Sequence, residues 1–180
     1  MEEVLEKIKL EEVRIERLRE NHDLSKFDSY EKELVKFLNE DSLDNQNKKI
    51  SVTYLWFYKN EIAAYISLLT DRINLEGNLK TYFRDKGILY KSLPALKIGR
   101  LCVDNKYLRR GIGRLLMNFT VSKSNEIYNS VAGCRFIVID AKRNLDKSKD
   151  AIHFYKKLGF IPLKERDKGT TPMYFDLNRP

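Results

Sequence analysis

ALKIGRLCVDNKYLRRGIGRLL, residues 95–116, decides the fold. Ile98, Leu101 and Val103 are the apolar members of a β-type segment, and Asp104 and Asn105 signal a turn after it. Arg109, Arg110, Gly111 and Gly113 then make a short basic loop. Ile112, Leu115, Leu116 and Phe119 recur at i, i+3, i+4 and i+7, so an amphipathic helix begins inside that loop. Such a helix start suits an anion, because its first amides have no intrahelical acceptor and the helix dipole places partial positive charge there. The backbone N–H groups of Arg109 to Arg114 are therefore candidate phosphate donors. Gly111 and Gly113 admit close approach, and Arg109, Arg110 and Arg114 add charge. A short glycine pattern also occurs in ordinary helix starts with a solvated basic face, so the rest of the chain has to supply context.

Downstream, Gly133 is expected to end the helix near Ala132. The continuous run Phe136 to Ile139 reads as a strand buried on both faces with a parallel neighbour, reached by a right-handed crossover. A helix is expected over 149–158, with Ile152, Tyr155 and Leu158 on one face and Gly159 closing it. Phe160 to Lys164 and Met173 to Leu177 supply the last strands. Upstream, residues 1–10 read as a helical turn or lead-in, and Val13, Ile15 and Arg17 as a first strand. Asp28 and Glu31 have capping-box spacing before Tyr30, Leu34, Phe37 and Leu38, which predicts a helix over about 29–40. After a polar stretch, Asp41 to Lys49, Ser51 to Tyr58 and Ile62 to Leu69 flank Lys59 and Asn60 as a β-hairpin. Residues 71–95 are expected to be an irregular excursion with about one helical turn.

A chain of 180 residues, 42% of them hydrophobic, is enough for a substantial core, and a single domain over 1–180 is expected. The net charge of +8 favours anionic partners over cationic ones such as polyamines. Cys102 and Cys134 fall in predicted strands without metal-type spacing and read as buried, reduced thiols. No long apolar run or signal peptide is visible, so no membrane association and a cytoplasmic location are expected.

Three segments in this order resemble the Gcn5-related N-acetyltransferase (GNAT) superfamily: the strand Ile98 to Val103, the loop LRRGIG at 108–113, and AIHFYKKLGF at 151–160. The family pattern opens with Gln or Arg where this chain has Leu108, which removes one side chain and leaves the backbone amides. The resemblance implies an α/β (α+β) fold: a mixed, mainly antiparallel sheet of six or seven strands with about four helices and a splayed central parallel strand pair. It implies acetyl-CoA as cosubstrate, with the backbone of Leu101, Cys102 and Val103 pairing with the pantetheine arm. Arg109, Arg110, Gly111, Ile112, Gly113 and Arg114 would then hold the pyrophosphate, and no metal is implied. Holding the thioester against an amine makes aminolysis effectively intramolecular. Tyr155, matching the family's F-Y-x-x-x-G-F segment, is the implied proton donor to the departing thiolate. A phenol of pKa about 10 gives up its proton to a thiolate of about 8.5 only mildly uphill. The Val103 amide would meet the oxyanion. Asp104, Glu61, His153 and Asp140 are weighed as general base, and none is assigned.

The acceptor is read more coarsely. Phe27, Asp28, Leu34 and Leu38, with Pro172 to Leu177 and Ile98 to Leu101, are similar to the GNAT branch that contains aminoacyl-tRNA-acetylating toxins. If that likeness is functional, Arg100, Lys48, Lys49, Arg109 and Arg110 are candidate RNA phosphate contacts with steep salt dependence. The leading expectation is transfer to a primary amine of a protein, peptide or small molecule. Aminoacyl-tRNA is the alternative within the same chemistry, and a silent acyl-CoA or nucleic-acid binding module is the alternative outside it. The chain is expected to act as monomer or homodimer.

Overall fold

Lys59 and Asn60 sit at φ 49° and 63°, the two consecutive left-handed residues that a two-residue hairpin turn requires. They join β2 (Val52–Tyr58) to β3 (Glu61–Asn74) in the expected hairpin, with a bulge between Trp56 and Phe57. Outside β2 lies β1 (Val13–Arg17), antiparallel and in register from Val13↔Tyr58 to Arg17↔Tyr54. The remaining strands are β4 (Ser92–Val103), β5 (Phe136–Lys142), β6 (Ile161–Pro162) and β7 (Thr170–Asp176). The sheet order is β1-β2-β3-β4-β5-β7-β6: seven strands, mainly antiparallel, with β4 and β5 as a parallel neighbour pair. The structure, a computed structural model, describes residues 5–144, 150–164 and 169–178. Its residues group into two compact units, Met1–Leu69 with Ile98–Phe119 and Thr70–Lys97 with Thr120–Pro180.

In the first unit the helix expected over 29–40 starts later and runs further. It comprises α1 (Lys32–Lys36), a π-type turn Phe37–Asp41 and α2 (Ser42–Asn47). The capping box does not form: Glu31 occupies the N-cap and its side chain makes no cap hydrogen bond, while the Asp28 carboxylate pairs with Lys32. Tertiary bonds outcompete the cap. The Asp28 N–H donates to Asp104 Oδ2 at 2.9 Å, and the Tyr30 N–H to Asn105 Oδ1 at 3.0 Å, which keeps 28–30 out of the helix. At the widened turn the Ser42 hydroxyl donates to the Leu38 carbonyl and Asn39 to that of Val35, the back-bonding that commonly accompanies helix distortion. Leu38 of the π-type turn and Phe27 of the preceding loop pack onto Leu55, Tyr65 and Cys102 of the sheet.

In the second unit residues 71–95 are more regular than expected. β3 continues to Asn74, nine residues form α3 (Gly77–Asp85), and β4 already starts at Ser92. The reason is Phe83, fully buried among Ile73, Ala95, Phe136 and Val138. Cys134 lies two residues before β5 rather than in a strand, half-buried, while Cys102 is in β4 and buried. The remaining helices are α4 (Ile112–Ser130) and α5 (Ala151–Lys157); Lys149, in the expected start of α5, is outside the described residues.

Arg135 locks this unit. Its guanidinium makes two bonds to the Asp176 carboxylate, 2.8 and 3.0 Å, and lies over the rings of Phe83 and Phe136. The Asp176 side chain is only 7% exposed, so Arg135→Ala strands a buried charge. Urea denaturation should show a loss of about 2–3 kcal/mol, against much less for Arg135→Lys.

Candidate active site

β4 ends at Val103, and the chain is turned there by Asp104, which is 3% exposed. Its carboxylate accepts from the N–H groups of Lys106 and Asp28, each at 2.9 Å, and its own N–H donates to the Ala63 carbonyl. Asp104 is therefore a turn residue fully engaged with backbone, as its place in the sequence suggests, and not a base. A short 3-10 turn, Asn105–Tyr107, follows. The Tyr107 hydroxyl donates to Glu61 at 2.6 Å, and Lys106 adds an ion pair at 3.1 Å. Burial and the Glu61 contact push the Tyr107 phenol up to about 12, and the same Tyr107 bond, with Lys106, holds Glu61 below its usual range. Glu61 is thereby kept ionised and doubly hydrogen-bonded, which suits it to holding the turn and not to taking a proton from an amine.

The loop itself changes hand twice, at Arg109 (φ 61°) and Gly111 (φ 85°), before α4 begins at Ile112. Arg114 is the first residue whose N–H is taken up inside the helix, by the Gly111 carbonyl at 3.1 Å. That leaves the amides of Ile112 and Gly113 without an intrahelical acceptor, at the positive end of a 19-residue helix. Arg109 and Arg114 are exposed and form no ion pair among the described residues. A phosphate group fits this cradle: a Gly111 with no side chain of its own, two amides, and two guanidinium groups that form no ion pair among the described residues.

Arg110 is placed differently. Its Nε donates to the Glu6 carbonyl at 2.9 Å, its guanidinium lies 5.1 Å from the Tyr58 ring centre, and its own carbonyl accepts from the Ile8 N–H at 3.0 Å. The sequence placed Arg110 among phosphate ligands; the structure uses its side chain to tie an N-terminal strap, residues 6–8, onto the loop. Sequence reasoning missed that strap, whose signal is Ile8, flanked by Lys7 and Lys9 and 4% exposed.

Of the cofactor-strand residues, Cys102 is buried against the first unit's core, and burial pushes its thiol up to about 11. It stays neutral, so only its backbone is available for chemistry. Leu101 and Val103 are half-buried.

In the second unit Asp150 caps α5 by accepting from the Ile152 N–H at 3.1 Å. Gly159, at φ 91°, closes the helix. Tyr155 is 4% exposed, edge-on to Phe154 at 5.1 Å and to Phe160 at 5.3 Å. Burial raises its phenol above the ordinary tyrosine range. His153 is exposed, on another face from Tyr155 as its spacing requires. Asp140 is bonded to Lys97 at 2.8 Å, and Lys97 also meets Asp71 at 3.5 Å, so Asp140 is committed to an ion-pair network. Among the candidate RNA contacts, Lys48 is paired with Asp44, Arg100 lies over Phe37, and Lys49 is exposed. Among the described residues no group of three His, Cys, Asp or Glu is placed to hold a metal, and no helix is long and apolar enough to cross a membrane.

A mixed sheet with a central parallel pair, whose β4 strand leads through a basic, glycine-containing loop into a long helix, is the architecture of an acetyltransferase domain. Residues 51–162, more than half of the chain, match the acetyltransferase (GNAT) domain family. The chain belongs to the GNAT acetyltransferase family and is an acetyl-CoA-dependent N-acetyltransferase. Among solved structures, AtaT complexed with acetyl-methionyl-tRNAfMet is 24% identical with a TM-score of 0.74, covering 91% of this chain and 94% of that one. A tyrosine-to-phenylalanine mutant of KacT is 22% identical with a TM-score of 0.76, covering 92% and 95%. AtaTR bound with acetyl-CoA is 26% identical with a TM-score of 0.69, covering 93% and 95%. No curated protein sequence matches the chain significantly.

Proposed function

We propose that residues 1–180 act as one domain, in the cytoplasm, which transfers the acetyl group of acetyl-CoA to the amino group of an aminoacyl-tRNA. The observation that carries the acceptor is the likeness over 91% of the chain to AtaT, a protein solved with acetyl-methionyl-tRNAfMet. The motif Phe27, Asp28, Leu34 and Leu38 supports it, as does a net charge of +8 that attracts RNA and repels cationic amines. In this reading the amides of Ile112 and Gly113, with Arg109 and Arg114, hold the pyrophosphate, and Gly111 gives it room. The backbone of Leu101, Cys102 and Val103 pairs with the pantetheine, and the Val103 amide meets the oxyanion. The amine nitrogen bonds to the thioester carbonyl carbon, the carbon–sulfur bond breaks, and the proton lost by nitrogen is made up on sulfur. Tyr155 donates to that sulfur.

The test is transfer of labelled acetyl from acetyl-CoA to three pools: charged tRNA, peptides and small amines. Label on charged tRNA, lost when it is deacylated beforehand, is the expected result. Transfer should fall steeply as salt rises from 50 to 200 mM, by about tenfold or more where several phosphates are contacted. Label on peptides or small amines alone overturns the RNA acceptor and leaves the acetyltransferase intact.

A further inference from the structure

Residues 6–8 and the loop before α4 are bonded in both directions. Ile8 donates its N–H to the Arg110 carbonyl at 3.0 Å, and Arg110 returns Nε to the Glu6 carbonyl at 2.9 Å. These bonds bracket Lys7 and fix its position along the loop. Ile8 is buried while Lys7 and Lys9 on either side are exposed, so the strap is pinned by one side chain and turns the lysines away from the core. Among the described residues, Arg110 and Ile112 aside, Lys7 Cγ is the one atom within 4 Å of the empty Cβ position of Gly111, at 3.9 Å. Beyond Cγ the lysine stem extends about another 4 Å to its ammonium, on a flexible chain that starts beside Gly111. Lys7 makes no ion pair among the described residues.

We propose that Lys7 is a further acetyl-CoA ligand, delivering to the pyrophosphate across Gly111 the charge that the sequence assigns to Arg110, while Arg110 acts as the positioning residue that holds the strap. Two features of the loop support this. Arg110 is engaged at two of its three guanidinium nitrogens, Nε on the Glu6 carbonyl at 2.9 Å and Nη2 on the Tyr58 hydroxyl at 3.4 Å. Gly111 has no side chain of its own, and the Lys7 stem lies beside its empty Cβ position. Binding of the pyrophosphate and docking of the strap are then linked, each favouring the other.

The inference rests on the reading that this loop holds the pyrophosphate, and the experiment separates the two. Isothermal titration would compare wild type, Lys7→Ala, Lys7→Arg, Lys9→Ala and Gly111→Val with acetyl-CoA, 3′-dephospho-acetyl-CoA and S-acetylpantetheine. The expected result is that Lys7→Ala raises Kd about fivefold for both pyrophosphate-bearing ligands, as for one partly exposed charged contact. It should leave S-acetylpantetheine unchanged; Lys7→Arg should restore most of the loss, and Lys9→Ala should be neutral. An effect of Lys7→Ala confined to the ligand with a 3′-phosphate overturns the assignment to the pyrophosphate. An unchanged Kd in Lys7→Ala, with binding lost in Gly111→Val, overturns the role of Lys7 and leaves the loop standing. Unchanged binding in both variants overturns the loop reading together with the inference.

Discussion

Tyr155→Phe is expected to lower kcat by about 10²- to 10³-fold, the range for removing one positioned proton donor. Acetyl-CoA affinity should stay within about twofold, because no charged contact to the ligand is removed. The substitution suits the site. Tyr155 is packed edge-on between Phe154 and Phe160, and phenylalanine keeps both ring contacts, so loss of fold is not expected to contribute. Burial also refines the chemistry expected from sequence. A phenol at its reference value would hand its proton to a thiolate only mildly uphill. Burial raises Tyr155 above that value, and each further unit adds about 1.4 kcal/mol to a complete transfer. The phenol then serves best as a neutral hydrogen-bond donor to the departing sulfur, relaying the proton that the attacking amine gives up. This has a pH signature. Tyr155 remains protonated through neutral and moderately alkaline pH, so the acid limb of the rate profile, set by deprotonation of the amine, should survive unchanged in the phenylalanine variant. Stopped-flow thiol release measured from pH 6 to 9.5 checks both points. A variant with wild-type kcat would show that Tyr155 is a packing residue of α5 and nothing more.

How much of this was legible in the sequence depends on the distance over which each feature is encoded. The strand, loop and helix around Gly111 are contiguous, and their period and turn residues sufficed. The hairpin at Lys59 and Asn60 was likewise local. The helix after Asp28 was misplaced because its start is decided by Asp104 and Asn105, more than 70 residues away, whose side chains claim the Asp28 and Tyr30 amides. The excursion after β3 looked irregular because exposed Tyr82, Leu89 and Tyr90 blur the helical period, while one residue, Phe83, anchors α3 in the core. Arg110 shows the same limit at the candidate site. Its position in a basic loop argued for phosphate, and its partner, the Glu6 carbonyl, lies 104 residues earlier and carries no side-chain signal at all. The place of Tyr155 on the apolar face of its helix was legible from the spacing of Ile152 and Leu158, and the structure buries it there.

Gly111→Val is the second large effect, and the argument for it is conformational rather than steric. A side chain added at Gly111 would meet nothing closer than Lys7 Cγ at 3.9 Å, so there is room. The backbone is the obstacle: φ is 85°, and a β-branched residue avoids that region strongly. Relaxing φ swings the following peptide, and with it the amides of Ile112 and Gly113 that are proposed to hold the phosphate. Losing two charge-assisted amide bonds corresponds to about 3–4 kcal/mol, or two to three orders of magnitude in the Kd for acetyl-CoA. Tm should move by only a few degrees, because Gly111 precedes α4 and the helix's own buried residues, Ile112, Leu116 and Met117, are untouched. Gly111→Asn separates conformation from bulk, since asparagine tolerates the left-handed region far better than valine. It should keep acetyl-CoA binding within about tenfold of wild type despite adding four heavy atoms, because adopting the left-handed region costs it on the order of 1 kcal/mol. If the asparagine and valine variants bind equally poorly, the space over Gly111 matters and not its φ. The loop would then grip its anion by close backbone approach alone.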